Sequence, residues 1–222
     1  MKSTYTKISC ENIDDILGNF NITKVKYNSL LLERWLDIEL GAENILTPTQ
    51  TVIFQDVLDL LNADVEGWNE EELKMKALSL IFYIAKMEDM PHIKMFYERP
   101  IHAVIDTFLI DVKVDAMLAT PWGKATPHHP YFFLQEFKQE KKKSLDPEAQ
   151  MLAAMLAAQV LNKNDKPLFG GYIIGRSWFF GVLEGKIYTI SNAFNATEKE
   201  DLHKIIFILR HLKTIISAQL RD

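Results

Sequence analysis

Apolar residues in the first third of the chain recur every three or four positions, the spacing that puts one stripe on a helix. "NSLLLERWLDIEL" carries such a stripe, with Asn28 or Ser29 placed to cap it. "TPTQTVIFQDVLDLLN" predicts a second helix, with Thr47 as its cap and Pro48 in the first position. "NEEELKMKALSLIFYIAKM" predicts a long third one: Asn69 caps it, three glutamates fill the first turn and lysines follow, in the order the helix dipole favours. Residues 1–20 are polar and irregular, with a weak helical stretch near "ENIDDILGNF".

The period then changes to two. "IKMFYERPIHAVIDTFLIDVKVDAML" is rich in β-branched and aromatic residues. Alternation places Ile110, Val112, Val114, Ala116 and Leu118 on one face and Asp111, Lys113 and Asp115 on the other. "TPWGKATPHHP" reads as a loop because of its prolines and glycine, and "YFFLQEFKQ" as a strand. That strand is apolar on both faces, which is the mark of a central position. "KKKSLDPEAQMLAAMLAAQVLN" predicts a loop and a helix capped by Asp146, with Pro147 first and Glu148 after it. "LFGGYIIGRSWFFGVLEGKIYTI" predicts two or three short strands joined by glycine turns. A last helix is expected from "NATEKEDL", with Thr197 and Glu200 as a capping box and a stripe from Leu202 to Leu220. The order predicts a mixed α/β fold with an N-terminal helical extension over 1–68 and an α/β core over 69–222.

Composition narrows this picture. The 222 residues are 48% hydrophobic and 25% charged, as in a globular chain with a sizeable core. The one cysteine, Cys10, permits neither a disulfide framework nor a thiolate metal site. The N-terminus lacks a signal-like apolar segment and no run approaches a membrane span, so an intracellular, cytoplasmic protein without membrane contact is expected. The net charge of −5 does not advertise a nucleic-acid binder. Its distribution is uneven: residues 1–120 hold 11 Lys+Arg against 20 Asp+Glu, a net of −9, and residues 121–222 hold 14 against 10, a net of +4. The basic half can present a local positive surface, and the acidic helical front offers a surface to a protein partner.

The candidate chemistry lies at the end of the expected central strand. Glu136 and Lys138 share a face, and Asp115 projects from the charged face of the strand before it. If these strands pair, an Asp, a Glu and a Lys converge. Two carboxylates suit a hard divalent cation such as Mg²⁺ (or Mn²⁺), and a neighbouring lysine can orient a water and stabilise charge on a phosphate. Asp111 competes with Asp115 for the same role, but Asp115 lies nearer the strand's far end.

Asp115, then Glu136-Phe137-Lys138, a basic loop and a helix with an early Gln150 together resemble the PD-(D/E)XK nuclease superfamily. The likeness spans roughly residues 69–190. It departs from the family pattern at Val114, where proline is usual, and at Ala154, where the exonuclease branch carries tyrosine. The resemblance implies a restriction-endonuclease-like mixed central sheet flanked by helices, and Mg²⁺-dependent cleavage of nucleic acid, DNA foremost. It implies metal ligation by Asp115, Glu136 and the backbone carbonyl of Phe137, catalysis by Lys138, and a further glutamate from the first helix, for which Glu72 is the candidate with Glu71 beside it. Gln150 would contact substrate.

Blander readings stand beside these. Glu136 and Lys138 could form a surface salt bridge, which stabilises little. Lys141, Lys142 and Lys143 could track a phosphate backbone, extended by Lys124 and Arg176, or be a solvated loop. His128 and His129 read as loop decoration, and Trp178, Phe179 and Phe180 as core. The alternative to a nuclease is a non-catalytic protein- or nucleic-acid-binding module that retains the nuclease fold.

Overall fold

The computed structural model describes residues 5–26, 29–37, 45–88, 92–123, 125–140 and 146–220, the side chain of Leu134 excepted. Its helices are α1 (Ile13–Phe20), α2 (Leu30–Leu36), α3 (Pro48–Asp64), α4 (Glu70–Leu73), α5 (Ser79–Ala85), α6 (Pro147–Asn162) and α7 (Lys199–Gln219). A π turn, Lys74–Leu78, joins α4 to α5 as one continuous helix. Among the described residues nine strands form one mixed sheet: β1 (Thr6–Lys7), β2 (Thr23–Lys26), β3 (Lys94–Ile105), β4 (Phe108–Trp122), β5 (Thr126–Lys138), β6 (Leu168–Ile174), β7 (Ser177–Glu184), β8 (Ile187–Ile190) and β9 (Phe194–Asn195). The order is β1-β4-β5-β6-β7-β8-β2, with β3 also paired to β4 and β9 to β7. The fold is mixed α/β, a large sheet flanked by helices. Residues 1–68 are not purely helical: β1 pairs with β4 and β2 with β8, both parallel.

Most helix starts follow their caps. Ser29, Thr47, Asn69 and Asp146 each accept a hydrogen bond from a first-turn amide, and Thr47 and Asn69 build full capping boxes with Gln50 and Glu72. The expected box at α7 does not form. Glu198 is the cap position there and makes no side-chain cap bond, while Thr197 Oγ1 donates to Asn195 Oδ1.

The segment expected to be a loop between the two middle strands is instead the end of a hairpin. β4 and β5 stay paired through Trp122↔Thr126, with register shifts around Ala119. Beyond Ala119 the partner strand β3 has ended, so Pro121 and Pro127 lie in a two-stranded arm where a missing amide breaks no interior ladder. Gly123 turns the tip at φ 64°.

β5 is central as expected, with β4 on one side and β6 on the other. β5 and β6 run parallel, so α6 is the crossover between them. On one face of the sheet, α2, α3, α5 and α7 enclose Trp35, Phe54, Phe82, Phe133, Phe137, Phe169 and Phe180. On the other, α6 lays Ala149, Ala153, Ala154, Ala157 and Ala158 against Ile110, Val114, Met117 and Tyr172.

The expected alternation along β4 fails in the middle. Ile110 and Val114 face the α6 side, but Ala116 and Leu118 face the aromatic side, and Met117 and Ala119 replace them. The phase slips at Asp115. Opposite it on β3, Glu98 has φ 53°, a left-handed conformation inside a strand, and the ladder passes from Tyr97↔Ala116 to Arg99↔Val114. Both strands therefore change face together. As a result consecutive residues Tyr97 and Glu98 line one cavity beside Asp115, where regular alternation would send them to opposite sides.

Candidate active site

The site lies where the β4–β5 ladder stops. Its last registered pair on this side is Ala116↔Gln135. One residue further, the Asp115 carboxylate takes over from the backbone, and Phe137 N–H donates to its Oδ2 at 2.8 Å. This bond ties Asp115 to the strand that carries Glu136 and Lys138. The Glu136 carboxyl comes within hydrogen-bonding reach of Asp115. The pairing on which the sequence reading depends is thus present, and it brings Asp115, Glu136 and Lys138 together.

Glu136 is only 1% exposed, and its Oε1 has no hydrogen-bond partner. Burial first, then the Asp115 charge, push its carboxyl well above the ordinary range, and Lys138 only partly offsets them. Lys138 Nζ stands 4.0 Å from Glu136 Oε2 and 3.9 Å from Glu70 Oε1, longer than a good charge-assisted hydrogen bond. Its backbone is well held: Gly175 N–H donates to the Lys138 carbonyl at 2.9 Å. Just beyond, Arg176 binds Glu140 at 3.0 Å and also pairs with Glu66. Arg176, expected to extend a phosphate patch, is spent on anchoring the exit of β5.

The first helix contributes differently from expectation. Glu72 accepts from Asn69 N–H at 3.0 Å in the capping box and pairs with Lys76 at 2.9 Å. The hydrogen bond from Asn69 N–H and then Lys76 hold its carboxyl below the usual range. Glu72 is a capping residue, and the glutamate that reaches Lys138 is Glu70. Glu71 sits 3.5 Å from Lys74.

Lys74 was not anticipated as a site residue. Its Nζ lies 2.6 Å from Glu98 Oε1 and 3.1 Å from Asp115 Oδ1. Burial opposes its charge, but Glu98 and Asp115 outweigh that and raise its pKa. Glu98 also pairs with Lys113; although burial alone would raise it, these lysines hold it at about 2. The signals were present in part. Lys74 falls one helical turn after Glu70, on the same face. Glu98 precedes "RP", a sequence that interrupts strand alternation. Lys74, Glu98 and Asp115 line a cavity of about 270 Å³ with Met75, Phe82 and Phe137.

Gln150 occupies the first turn of α6, and its Oε1 is buried without a partner. Lys124, Lys141, Lys142 and Lys143 lie outside the described residues. Asp111, the competitor of Asp115, pairs with Lys7 in solvent at 2.7 Å. The His128 and His129 rings meet at a tilt in the hairpin arm, and His128 also lies beside Trp122. Trp178 and Phe180 are core residues.

Among the described residues no group of three or more His, Cys, Asp and Glu side chains is spaced to hold a metal ion. The donors that do converge are two carboxyls, with the Phe137 carbonyl on the same strand. A hexacoordinate ion that retains water needs no more than one or two carboxylates. The orphaned, buried Glu136 oxygen and the close approach of two acidic groups fit such an ion, which would relieve both.

No described helix is long and apolar enough to cross a membrane. The sequence matches no model of a known protein family and none of the curated proteins with which it was compared.

Proposed function

We propose that the protein is a metal-dependent nuclease of the restriction-endonuclease-like type, hydrolysing phosphodiester bonds of nucleic acid at the end of β5. The observation that carries this reading is the meeting of Asp115 and Glu136, one carboxyl buried with an unpartnered oxygen, beside a lysine with slack contacts. Nothing in the stability of the fold calls for a buried glutamate there, because an apolar residue would cost less.

Asp115, Glu136 and the Phe137 carbonyl would hold Mg²⁺ or Mn²⁺. Bound there, the ion would polarise a phosphate oxygen and acidify a water. Lys138 would supply the remaining electrostatics. Its long contacts leave ammonium protons free to orient the attacking water and to neutralise charge growing on the phosphate. Glu70, on its far side, would keep the lysine aimed into the site. Gln150 has an unused amide oxygen for a substrate contact.

The test is cleavage of single- and double-stranded DNA and RNA with Mg²⁺ or Mn²⁺, wild type against Lys138→Ala. The expected loss is about 10²–10³-fold, the usual effect of removing one preorganised electrostatic group. Absence of metal-dependent cleavage on all four substrates, or a variant as active as wild type, would remove the proposal.

One observation favours the second reading, a non-catalytic module: Lys74 already neutralises Asp115. Titration with Mn²⁺ separates the two, since a module that uses Lys74 in place of a metal binds none.

A further inference from the structure

Two local irregularities, in different elements, converge on one atom. The helix from α4 to α5 is widened by the π turn that begins at Lys74. Such turns are rare, sit inside α-helices and are frequent at functional sites. Across from it, Glu98 adopts a left-handed conformation in mid-strand, which is strained for a residue with a Cβ. Together they bring the Lys74 ammonium between Glu98 at 2.6 Å and Asp115 Oδ1 at 3.1 Å. Glu71 waits at 3.5 Å. An ordinary ion pair needs one acid. Here the lysine has two anchors besides Asp115, and its shorter contact is to Glu98.

We infer that Lys74 is a built-in competitor for the cation at Asp115, and that Glu98 is the partner to which it retreats. This rests on the reading that Asp115 and Glu136 take a divalent ion. In the metal-free protein the ammonium neutralises Asp115 and keeps it hydrogen-bonded to Phe137 N–H, so the site stays assembled without a metal. On metal uptake Lys74 gives up Oδ1 and keeps Glu98 and Glu71, a shift of one hydrogen bond without unpairing the charge. Metal affinity is thereby set by how strongly Lys74 holds Asp115.

The consequence is a pair of opposite effects that a merely structural role would not produce. Lys74→Met removes the competitor, and Mn²⁺ binding to the 222-residue chain, measured by calorimetry, tightens about two- to fivefold, the scale of one partly exposed ion pair. Lys74→Gln does the same if the methionine variant folds poorly. Glu98→Gln removes the place of retreat, and Mn²⁺ binding weakens by a similar factor. Lys113→Met is the control for long-range charge. Lys113 pairs with Glu98 but not with Asp115, so its loss leaves the affinity near wild type.

Wild-type binding with both Lys74 variants unchanged or weaker overturns this inference and leaves the metal site standing. A Lys113→Met effect as large as that of Lys74 also overturns it, because general electrostatics would then suffice. Absence of Mn²⁺ binding in wild type and every Lys74 variant instead overturns the metal reading of Asp115 and Glu136, and the competition with it.

Discussion

Two lysines flank the Asp115–Glu136 pair, and they are held in opposite ways. Lys74, at the π turn, is gripped at 2.6 and 3.1 Å. Lys138, at the end of the central strand, stands 3.9 and 4.0 Å from its acids although its side chain is the less exposed of the two, 12% against 19%. A cation desolvated without close partners is expensive, so a fold selected for stability alone would have tightened the contacts of Lys138 first. The helix side of the site has been optimised for holding, and the strand side left available. Under the proposed function, that asymmetry suits Lys74 to assembly and Lys138 to chemistry.

The sharpest way to break the comparison is to remove each lysine and read activity and stability separately. Lys138→Ala is expected to abolish most cleavage while its thermal unfolding and Mn²⁺ affinity stay close to wild type. Lys74→Ala is expected to do the reverse in stability. It takes from Asp115 its close lysine partner and leaves Glu98 with Lys113 alone, which costs about 1–3 kcal/mol by chemical denaturation after allowing for partial exposure. If both variants lose the same stability, the distinction between a gripped and a slack lysine carries no functional meaning.

A second effect concerns the acid between them. Glu136→Gln removes a buried carboxyl that the fold pushes toward its neutral form. Because its folded pKa is raised, the folded chain binds more protons than the unfolded one. Stability is therefore highest below the ordinary carboxylate range and falls as pH rises above it. Glutamine has no such term, so the variant is expected to unfold at a higher temperature than wild type at neutral pH without metal, with the gap closing near pH 4. The same variant should lose Mn²⁺ binding. Stabilisation with loss of binding would mark Glu136 as a residue kept for function against stability.

The fold was readable where one physical signal dominated. Caps at Ser29, Thr47, Asn69 and Asp146 mark helix starts because a side-chain acceptor must satisfy the first amides, and each does. The central place of β5 was readable from apolar residues on both faces. The hairpin arm was not, since Pro121 and Pro127 signal a loop unless the absence of a third strand is known. Nor was the slip at Asp115, because it requires β3 and β4 to change face together at Glu98 and Asp115, and strand alternation reports on one strand at a time. For the site, Asp115, Glu136 and Lys138 were legible as a constellation. Lys74 and Glu98 were not, as a lysine and a glutamate 24 positions apart are ordinary surface residues until a π turn and a left-handed residue aim them at one carboxylate.

The smallest expected effect separates two glutamates two positions apart on the same helix. Glu72 closes the capping box with Asn69 and meets Lys76, whereas Glu70 faces Lys138. Glu72→Ala should therefore lower stability by opening one half of the capping box, and leave cleavage unchanged. Glu70→Gln should leave stability within about 0.5 kcal/mol, since its pair with Lys138 is long and partly exposed, and lower cleavage several-fold through a less well aimed lysine. Denaturant melts and cleavage rates on the two variants decide the matter. Were Glu72→Ala the variant that lost cleavage at unchanged stability, the helix would present a different face to the site than the one carrying Glu70 and Lys74, and Lys138 would have no second acid to aim it.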